Sequence, residues 1–571
     1  MIPVRVLLLV LSTAGFWELL RRRFPAVHPS FLPGLTVALQ ACLLLLGGLL
    51  NVLRETAWLL GGVGTAALAY SLVRDKGKSL KYCASPEYLF LGLGLAVLFF
   101  CVRGKVFTHY DNFSHWAQVL SKMLKYDCFP GREYGVLFEN YPLGSTVFVY
   151  FVVRLAGGAG EPLQMLAQAY MLLACVMPLF SLCRRNALPA FLLIAAAANF
   201  LFSYNIQVTE LLVDTLLPLV GMCALLFVYT YRNRIAETAP LAALYLVWML
   251  QVKNSAVFFA LACGIPLLYF ARKNRRTVRA LVCLGAALAG VLAWRWHCAG
   301  IRPDVMATEH SLSISWWTTA LRDKSTEDIK RIILSLAEYA ACWRDLWYFM
   351  LFLGVAGLFA LLRGKPFRRL WLRTAGAAAV LYLAYQAGLL LMYIFSMRRS
   401  EAMLLSSVAR YEKSVLIALY YLLTALAVRM MDGEKQGRAF AAALALLLSF
   451  GAASWGTESP WSVADYRPYR IGSYDGLEVR RWMEGLKAEY GLPEDGDYAI
   501  VISDWDSDYF WCLGMYLFPD SDIAVVGDPT EKALEGIRAR QVLIYDRDHP
   551  AVREWVRRNY PGREGCAVID R

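Results

Sequence analysis

Apolar stretches long enough to cross a lipid bilayer recur along most of the chain. A membrane-spanning helix needs roughly 17–25 mostly apolar residues. Shorter apolar stretches at 143–157, 239–252 and 255–270 predict broken or tilted helices. The pattern indicates a polytopic, all-α membrane domain of about 12–15 helices. Its predicted full spans are 4–20, 31–53, 55–73, 87–102, 163–182, 187–204, 209–230, 279–297, 346–363, 372–397, 415–430 and 438–455.

The pattern changes near residue 456, where short apolar runs begin to alternate with amphipathic segments. Strands that alternate with helices form α/β layers around a largely parallel sheet. We therefore predict two domains, a membrane domain at 1–455 and a small α/β domain at 456–571. The α/β part has no GxGxxG motif, so a dinucleotide site is unsupported. The predicted strands are Tyr498–Ser503, Asp522–Gly527, Gln541–Asp546 and Cys566–Asp570, and the predicted helices are 506–517, 530–539 and 549–559.

Composition supports a membrane protein, because 58% of the residues are hydrophobic, only 18% are charged and the mean hydropathy is +0.45. The net charge of +13 would suit a nucleic-acid partner, but the basic residues cluster in short hairpins such as 271–279 and 363–373. Positive loops mark the cytoplasmic side of a membrane protein. We therefore expect membrane lipids as surroundings and no nucleic-acid partner. The thirteen cysteines form no CxxC pair and are interpreted as structural thiols.

The positive loops also predict the orientation of the chain. With 271–279 in the cytoplasm, the unusual polar clusters and everything after 455 lie on the extracytoplasmic face. Parity requires an odd number of crossings between 143 and 230, so one of the four candidates there, 143–157, does not fully cross. We predict a multi-pass protein of a bacterial plasma membrane with an extracytoplasmic C-terminal domain.

A polar island, His109-Tyr110-Asp111-Asn112-Phe113-Ser114-His115-Trp116, interrupts the apolar pattern and leads to Tyr141-Pro142-Leu143-Gly144. Asp111 and His115 are four residues apart and would share one face of a helix. A carboxylate there could accept the proton of an attacking hydroxyl. His109, His115, Trp116 and Tyr141 could orient or stack an acceptor sugar. The alternative is an interfacial belt of aromatic and polar residues.

This arrangement resembles the GT-C superfamily of polytopic membrane glycosyltransferases over roughly residues 87–455. The resemblance lies in an Asp in the first large outer loop, an amphipathic stretch, and Tyr-Pro-x-Gly opening the next helix. It implies an active site on the outer face, a polyprenyl-phosphate-linked sugar donor, and Asp111 as catalytic base or metal ligand. Some branches carry paired acidic residues in this loop. This chain has Tyr110-Asp111-Asn112 instead, so no divalent cation is required.

A second acidic element occurs in Thr-Glu-Leu-Leu-Val-Asp-Thr, where Glu210 and Asp214 lie one turn apart at the predicted outer end of 209–230. Two close carboxylates repel each other unless one is protonated, both share a cation, or one pairs with a base. They could help to position donor or acceptor. A cation held by Asp111, Glu210 or Asp214 stays an open alternative. Otherwise they are favourable charges near a helix N-terminus.

Basic residues near the predicted outer face could bind the phosphate of the donor. Lys253 interrupts an apolar hairpin, and an ionisable residue inside a membrane is a functional candidate by default. Arg398, Arg399 and Arg410 could add guanidinium groups, whose planar geometry suits phosphate oxygens. The resemblance favours Arg410 together with Tyr411, because an Arg-Tyr pair before a late helix recurs in that superfamily. The alternative is that these cations snorkel at a membrane end.

Asp504, Asp506 and Asp508 follow a predicted strand. As a calcium loop the run fails, because Tyr509 replaces the turn glycine and Met515 replaces the bidentate glutamate. As a metal–nucleotide motif it is weak, because nucleotide sugars are not expected outside the cell. We interpret it as a strand-to-helix turn with an aspartate cap.

Together these features predict an inverting membrane glycosyltransferase that moves a sugar from a polyprenyl-phosphate donor to an envelope glycan or lipid acceptor on the outer face. Three alternatives remain open. One is a transporter or flippase of a lipid-linked saccharide, which would favour charges at mid-membrane depth and symmetry between halves. Another is a polysaccharide ligase or polymerase, which uses a similar donor. The third is a non-catalytic scaffold that displays the C-terminal domain.

Overall fold

A computed structural model describes residues 2–75, 84–131, 136–138, 140–301, 314–435, 438–439, 441–442, 444–446, 449–450, 452, 462–472, 474–503 and 506–571. By their contacts the residues form two compact units. Among the described residues, the membrane unit comprises those within 2–105, 126–131 and 140–466. The α/β unit comprises those within 106–125, 136–138 and 467–571. The predicted boundary between 455 and 456 stays a prediction.

The membrane unit is helical. Its described part contains nine helices long and apolar enough to cross a membrane, and four shorter apolar helices. This confirms the predicted multi-pass helical domain. The nine are Pro29–Leu49, Leu53–Arg74, Glu161–Leu182, Ala187–Tyr204, Asn254–Lys273, Thr277–Gly300, Arg344–Arg363, Lys365–Phe395 and Val408–Asp432, and the shorter four are Pro86–Val102, Thr146–Ala156, Leu216–Thr230 and Ile235–Leu250. Further helices are Ile2–Arg23, Ile314–Arg322, Thr326–Cys342 and Arg399–Met403.

Burial separates central helices from peripheral ones. Val408–Asp432 and Glu161–Leu182 are mostly buried within the unit. Arg344–Arg363 and Thr277–Gly300 are mostly uncovered and expose large apolar side chains such as Leu362. A helix satisfies its own backbone hydrogen bonds, so an apolar outer face is stable against lipid tails. The most buried helices can therefore carry polar residues only where the protein itself supplies partners.

One predicted span differs from the structure in where its helix begins. The helix predicted at 209–230 begins at Leu216, and residues 205–215 form turns instead. Glu210 and Asp214 are therefore not one helical turn apart, and the prediction of a helix start there is wrong. Apolar composition cannot separate a helix from an irregular segment held by tertiary contacts. Within the span predicted at 438–455, the described residues 438–439, 441–442, 444–446, 449–450 and 452 are helical, and the others lie outside the described residues.

The α/β unit contains a four-stranded sheet made of β3 (Asp497–Val501), β4 (Asp522–Val526), β5 (Gln541–Ile544) and β6 (Val568–Asp570). The order of the strands in the sheet is β4-β3-β5-β6. β3 runs parallel to β4 and β5, and β6 runs antiparallel to β5. These strands confirm the predicted α/β character and the largely parallel sheet. The strands are β1 Arg470–Ile471, β2 Tyr474–Asp475, β3 Asp497–Val501, β4 Asp522–Val526, β5 Gln541–Ile544 and β6 Val568–Asp570, and the helices are Gly476–Tyr490, Ser507–Leu517, Glu531–Glu535 and Pro550–Asn559. The β1–β2 pair and the helix Gly476–Tyr490 were not predicted.

Alternating side chains along β3 pack against helices on both faces of this sheet. Val501 joins a buried cluster with Val552 and Trp555 of the last helix. Tyr498, on the opposite face, packs against Phe518. The aspartate cap is confirmed, because the Asp506 carboxylate accepts hydrogen bonds from the first backbone N–H groups of Ser507–Leu517. Such a cap contributes about 0.5–2 kcal/mol.

The segment Val106–Lys125, which contains the polar island, belongs to the α/β unit. The Tyr509 hydroxyl donates to the Thr108 carbonyl at 2.9 Å, and the Arg480 guanidinium donates to the Phe107 carbonyl at 2.9 Å. Lys122 Nζ donates to the Pro519 carbonyl at 2.6 Å. These bonds join positions more than 370 residues apart in the chain.

Candidate functional site

Asp111 lies at the start of the polar island in the α/β unit. It precedes a short π-helical segment, Asn112–Trp116, which continues into the helix Ala117–Tyr126. Irregular turns of this kind are frequent at functional sites. The Asp111 side chain is 28% exposed, so a substrate hydroxyl can reach its carboxylate. This exposure is what a general base requires.

The two histidines of the island have different surroundings. His109 Nδ1 accepts a hydrogen bond from the Asp111 backbone N–H at 3.1 Å, and its ring packs on Tyr469 with centroids 4.4 Å apart. His115 is buried and donates through Nδ1 to the Leu137 carbonyl at 3.1 Å. Trp116 is buried beside His115. Burial favours a packing role for His115 and Trp116 over contact with an acceptor sugar.

Acidic side chains at the start of the helix Ser507–Leu517 lie near the island. Tyr110 and the Cys512 thiol share a hydrogen bond. Burial raises the pKa of Cys512 to about 12, and the charges of Asp508, Asp506 and Asp111 add to that shift. Asp111, Asp506 and Asp508 therefore lie near one buried thiol of the α/β unit.

In the membrane unit, three charged residues from distant segments form one group, which we call the Asp214 cluster: Asp214, Lys253 and Arg410. Lys253 Nζ lies 2.8 Å from Asp214 Oδ1, and Arg410 Nε lies 3.9 Å from the same oxygen. Asp214 is 5% exposed, whereas Lys253 and Arg410 are 15% and 23% exposed. The Tyr411 ring lies 5.9 Å from Lys253 Nζ and 5.7 Å from Arg410 Cζ. The structure thus places Asp214, predicted as part of a second acidic element, beside Lys253, Arg410 and Tyr411, which were predicted to bind the donor phosphate.

The irregular segment 205–215 places Asp214. Gln168 Nε2 donates to the carbonyls of Glu210 and Leu212 at 3.0 and 3.1 Å. The Thr215 hydroxyl accepts from the Ile206 N–H at 3.1 Å. These side chains replace the backbone bonds that a helix would supply, which is the requirement for non-helical backbone inside an apolar unit. Glu210 is also buried in this segment.

The backbone before Arg410 is held in an uncommon conformation. Leu405 and Ser407 have φ of 48° and 61°, in the left-handed region. For non-glycine residues this costs about 1–3 kcal/mol each and persists only where the surroundings enforce it. The Tyr393 hydroxyl donates to the Ser406 carbonyl at 2.9 Å, and Leu405 packs in a buried apolar cluster. The turn starts the central helix Val408–Asp432 with Arg410 in its first turn.

The other two predicted phosphate-binding arginines lie outside these contacts. Arg399 forms a bidentate ion pair with Asp328, with Nε–Oδ2 and Nη2–Oδ1 distances of 2.8 and 3.0 Å. The Arg399 guanidinium, aided by Ser325, holds the pKa of the Asp328 carboxyl well below its usual range. Asp328 completes a capping box on the helix Thr326–Cys342. Arg398 is exposed at the start of Arg399–Met403. These contacts favour a structural role for Arg399.

The Tyr141-Pro142-Leu143-Gly144 motif packs against the turn that contains Lys253. The Gly144 N–H donates to the Gln251 carbonyl at 2.5 Å, and Trp248 Nε1 donates to the Gly144 carbonyl at 3.1 Å. Tyr141 is partly exposed beside them. The motif therefore fixes the end of the helix Ile235–Leu250, from which Lys253 follows.

Replacing Gly144 by alanine is expected to destabilise the membrane unit by about 1–3 kcal/mol, the usual cost of overpacking. The new Cβ would lie 2.5 Å from the Gln251 carbonyl oxygen, so the backbone must move. The measurement is chemical unfolding in detergent micelles. Gly92→Ala is the matched control, because its Cβ would meet no atom within 4 Å. Equal stability of both variants would contradict the tight packing of this motif.

Sequence reasoning missed a buried polar pair next to the Asp214 cluster. Glu412 is fully buried in the helix Val408–Asp432, and Gln386 Nε2 donates to its Oε1 at 2.6 Å. It also missed a pair in which the Tyr204 hydroxyl donates to buried Asp345 at 2.7 Å. In the sequence Glu412 stands next to Lys413, and Asp345 stands next to Arg344. A carboxylate beside a basic residue at the end of an apolar stretch is typical of a solvated helix end, so no pattern singled out either residue.

Within the part of the chain that the structure describes, no three His, Cys, Asp or Glu side chains lie close enough together to hold a metal ion. Asp214 has cations as neighbours instead.

The comparisons with known proteins leave the family open. No known protein family, curated protein or solved structure matches the chain. The function of the protein is therefore inferred from its own residues and their contacts.

Proposed function

We propose that the protein is a membrane glycosyltransferase of the GT-C type. It moves a sugar from a polyprenyl-phosphate-linked donor to an envelope glycan or lipid acceptor, with inversion at the anomeric carbon. The observation that carries the proposal is the Asp214 cluster, where two cations from distant segments share one carboxylate oxygen and stay partly exposed. A lipid-bound phosphate is the ligand that such a pair suits best.

The charge arrangement explains why a phosphate would bind there. Lys253 and Arg410 repel each other, and Asp214 holds them together while it balances one of their two charges. The group of three thus carries one positive charge at the edge of an apolar unit. A phosphate approaching the exposed sides of Lys253 and Arg410 would meet both donors at once. Electrostatic contacts at such a low-dielectric boundary are stronger than in water.

In the proposed reaction, the acceptor oxygen forms a bond to the anomeric carbon as the bond from that carbon to the phosphate oxygen breaks. The proton of the acceptor hydroxyl goes to a carboxylate base, for which the sequence offers Asp111. The polyprenyl phosphate leaves with the electron pair of the broken bond and gains one negative charge. Cations fixed where that charge develops lower the barrier directly. The roles of Asp111 and of the Asp214 cluster are separate proposals and are tested separately.

Replacing Arg410 or Lys253 by glutamine is expected to raise the Kd for polyprenyl phosphate by about 10–100-fold, because a hydrogen bond to a charged group contributes about 1.5–3 kcal/mol. Arg410→Lys keeps the charge but loses the planar donor pair, so it should fall between the wild type and Arg410→Gln. The measurement is a binding titration with the purified full chain in lipid nanodiscs.

Arg232→Gln is the control for lost surface charge. Arg232 is also an arginine of the membrane unit, but it is bonded to the Tyr229 carbonyl on an exposed turn. Arg232→Gln should leave the Kd for polyprenyl phosphate unchanged. An unchanged Kd in both Arg410→Gln and Lys253→Gln would overturn the phosphate assignment. Movement of the lipid-linked sugar across the bilayer without any transfer would favour the transporter instead.

A further inference from the structure

A pocket in the membrane unit lies beside the turn that carries Lys253. Its enclosed part has a volume of about 40 Å³, which is room for a few water-sized groups such as hydroxyls, and the rest is open to the outside. Asn140 and Pro142 line it on one side, Gln251 and Asn254 on another, and Trp294 and Arg295 of the helix Thr277–Ile301 on a third. The rest of its wall is mainly apolar.

Two buried amide oxygens in this pocket have no hydrogen-bond partner among the described residues, Asn140 Oδ1 and Gln251 Oε1. Asn140 is 7% exposed and Gln251 is 3% exposed. A buried acceptor without a donor costs about 1–3 kcal/mol. Native proteins satisfy nearly all such groups, so each exception needs an explanation. Two exceptions that line one pocket point to a ligand with hydrogen-bond donors.

We propose that this pocket binds the glycosyl group of the lipid-linked donor; the inference rests on the proposed function. Sugar hydroxyls would donate to Asn140 Oδ1 and Gln251 Oε1 and accept from Arg295 and Asn254. Lys253 lies between Gln251 and Asn254 in the same turn. A donor whose phosphate contacts Lys253 would therefore have its sugar next to residues of this pocket.

The polar groups also define the class of sugar. The acceptors are neutral amides, and the charged side chain among the described residues that line the pocket, Arg295, is a cation. A hydroxyl-bearing neutral hexose or a uronic acid is compatible with both. A sugar with a free ammonium group would be repelled by the Arg295 guanidinium. The pocket therefore selects neutral or acidic sugars over cationic amino sugars.

Binding titrations of the full chain in nanodiscs test this with polyprenyl phosphate and its glucosyl, galactosyl, glucuronosyl and 4-amino-4-deoxyarabinosyl esters. At least one neutral or acidic ester is expected to bind tenfold or more tightly than polyprenyl phosphate itself. Gln251→Met and Asn140→Leu, which keep the side-chain volume, should remove that gain and leave the Kd of polyprenyl phosphate unchanged. Val291→Phe, which adds volume at the pocket wall and leaves both amides in place, should do the same.

Gln164→Met is the matched control, because Gln164 is also buried with an unpartnered Oε1 but does not line the pocket. It should preserve the gain from the sugar. The inference would be overturned if the sugar ester still bound more tightly than polyprenyl phosphate in all three pocket variants. It would also be overturned if the amino-sugar ester bound most tightly of the four. Binding of polyprenyl phosphate with no gain from any sugar would overturn the pocket assignment alone. No binding of polyprenyl phosphate by the wild type would overturn the proposed function as well.

Discussion

Asp111→Asn is expected to lower the rate of sugar transfer by about 10²–10⁴-fold, the usual contribution of a positioned general base. Asparagine has the same size but cannot take the proton of the attacking hydroxyl. Because Asp111 is partly exposed and the backbone N–H to His109 is retained, the variant should stay folded. The Kd for the lipid-linked donor should not change. The measurement is the initial rate in liposomes that contain the purified protein, a polyprenyl-phosphate sugar and an envelope acceptor.

Asp520→Asn serves as the control for this experiment. Asp520 is an exposed aspartate of the same unit, and it pairs with a lysine on the segment that carries Asp111. Its replacement should leave the rate within about twofold, since an exposed ion pair contributes about 0–1 kcal/mol. Equal rates for the wild type and Asp111→Asn would remove Asp111 from the mechanism and direct attention to Glu210 and Asp214.

Asp214→Asn is expected to destabilise the membrane unit by about 3–5 kcal/mol, because removing one partner of a buried ion pair leaves an uncompensated charge. Lys253 would lose its carboxylate at 2.8 Å, and Arg410 would lose the neighbour at 3.9 Å. The double variant Asp214→Asn/Lys253→Met removes both charges of the closer pair and should recover much of the loss. The measurement is the free energy of unfolding in micelles.

A surface pair supplies the comparison for that experiment. Glu327 pairs with Lys330 at 3.5 Å, and both side chains are largely exposed. Glu327→Gln should cost no more than about 1 kcal/mol. If Asp214→Asn lowered the free energy of unfolding by as little as Glu327→Gln, water would have to reach the Asp214 cluster. The cluster would then not lie in a low-dielectric environment, and its contacts to a phosphate would be weak.

Local sequence patterns were sufficient to predict most of the helices and strands. Runs of apolar residues predicted the multi-pass helices, because a bilayer-length helix needs only a continuous apolar surface. Alternation of strands and helices predicted β3 to β6 and their largely parallel sheet. The cap at Asp506 was predictable because capping depends on the few residues around one helix start. The turns at 205–215, where a helix was predicted to start, could not be predicted, because hydrogen bonds from the Gln168 and Thr215 side chains hold that segment.

The candidate site was predictable only as separate residues. Sequence chemistry singled out Asp111, Asp214, Lys253 and Arg410, since charged groups next to apolar spans are costly without partners. It also proposed Arg399 for phosphate, where the structure shows an ion pair with Asp328.

What the sequence by itself determined is a multi-pass helical protein with an α/β part, the position of most of its helices and strands, and the residue types available for chemistry. Periodicity and hydropathy are local properties, and they can be read along the chain. Only the tertiary structure decided that Asp214, Lys253 and Arg410 meet, that Val106–Lys125 joins the α/β unit, and that Asn140 and Gln251 share a pocket. These pairings depend on how whole helices pack, and no local pattern encodes the distance between residues so far apart in the chain.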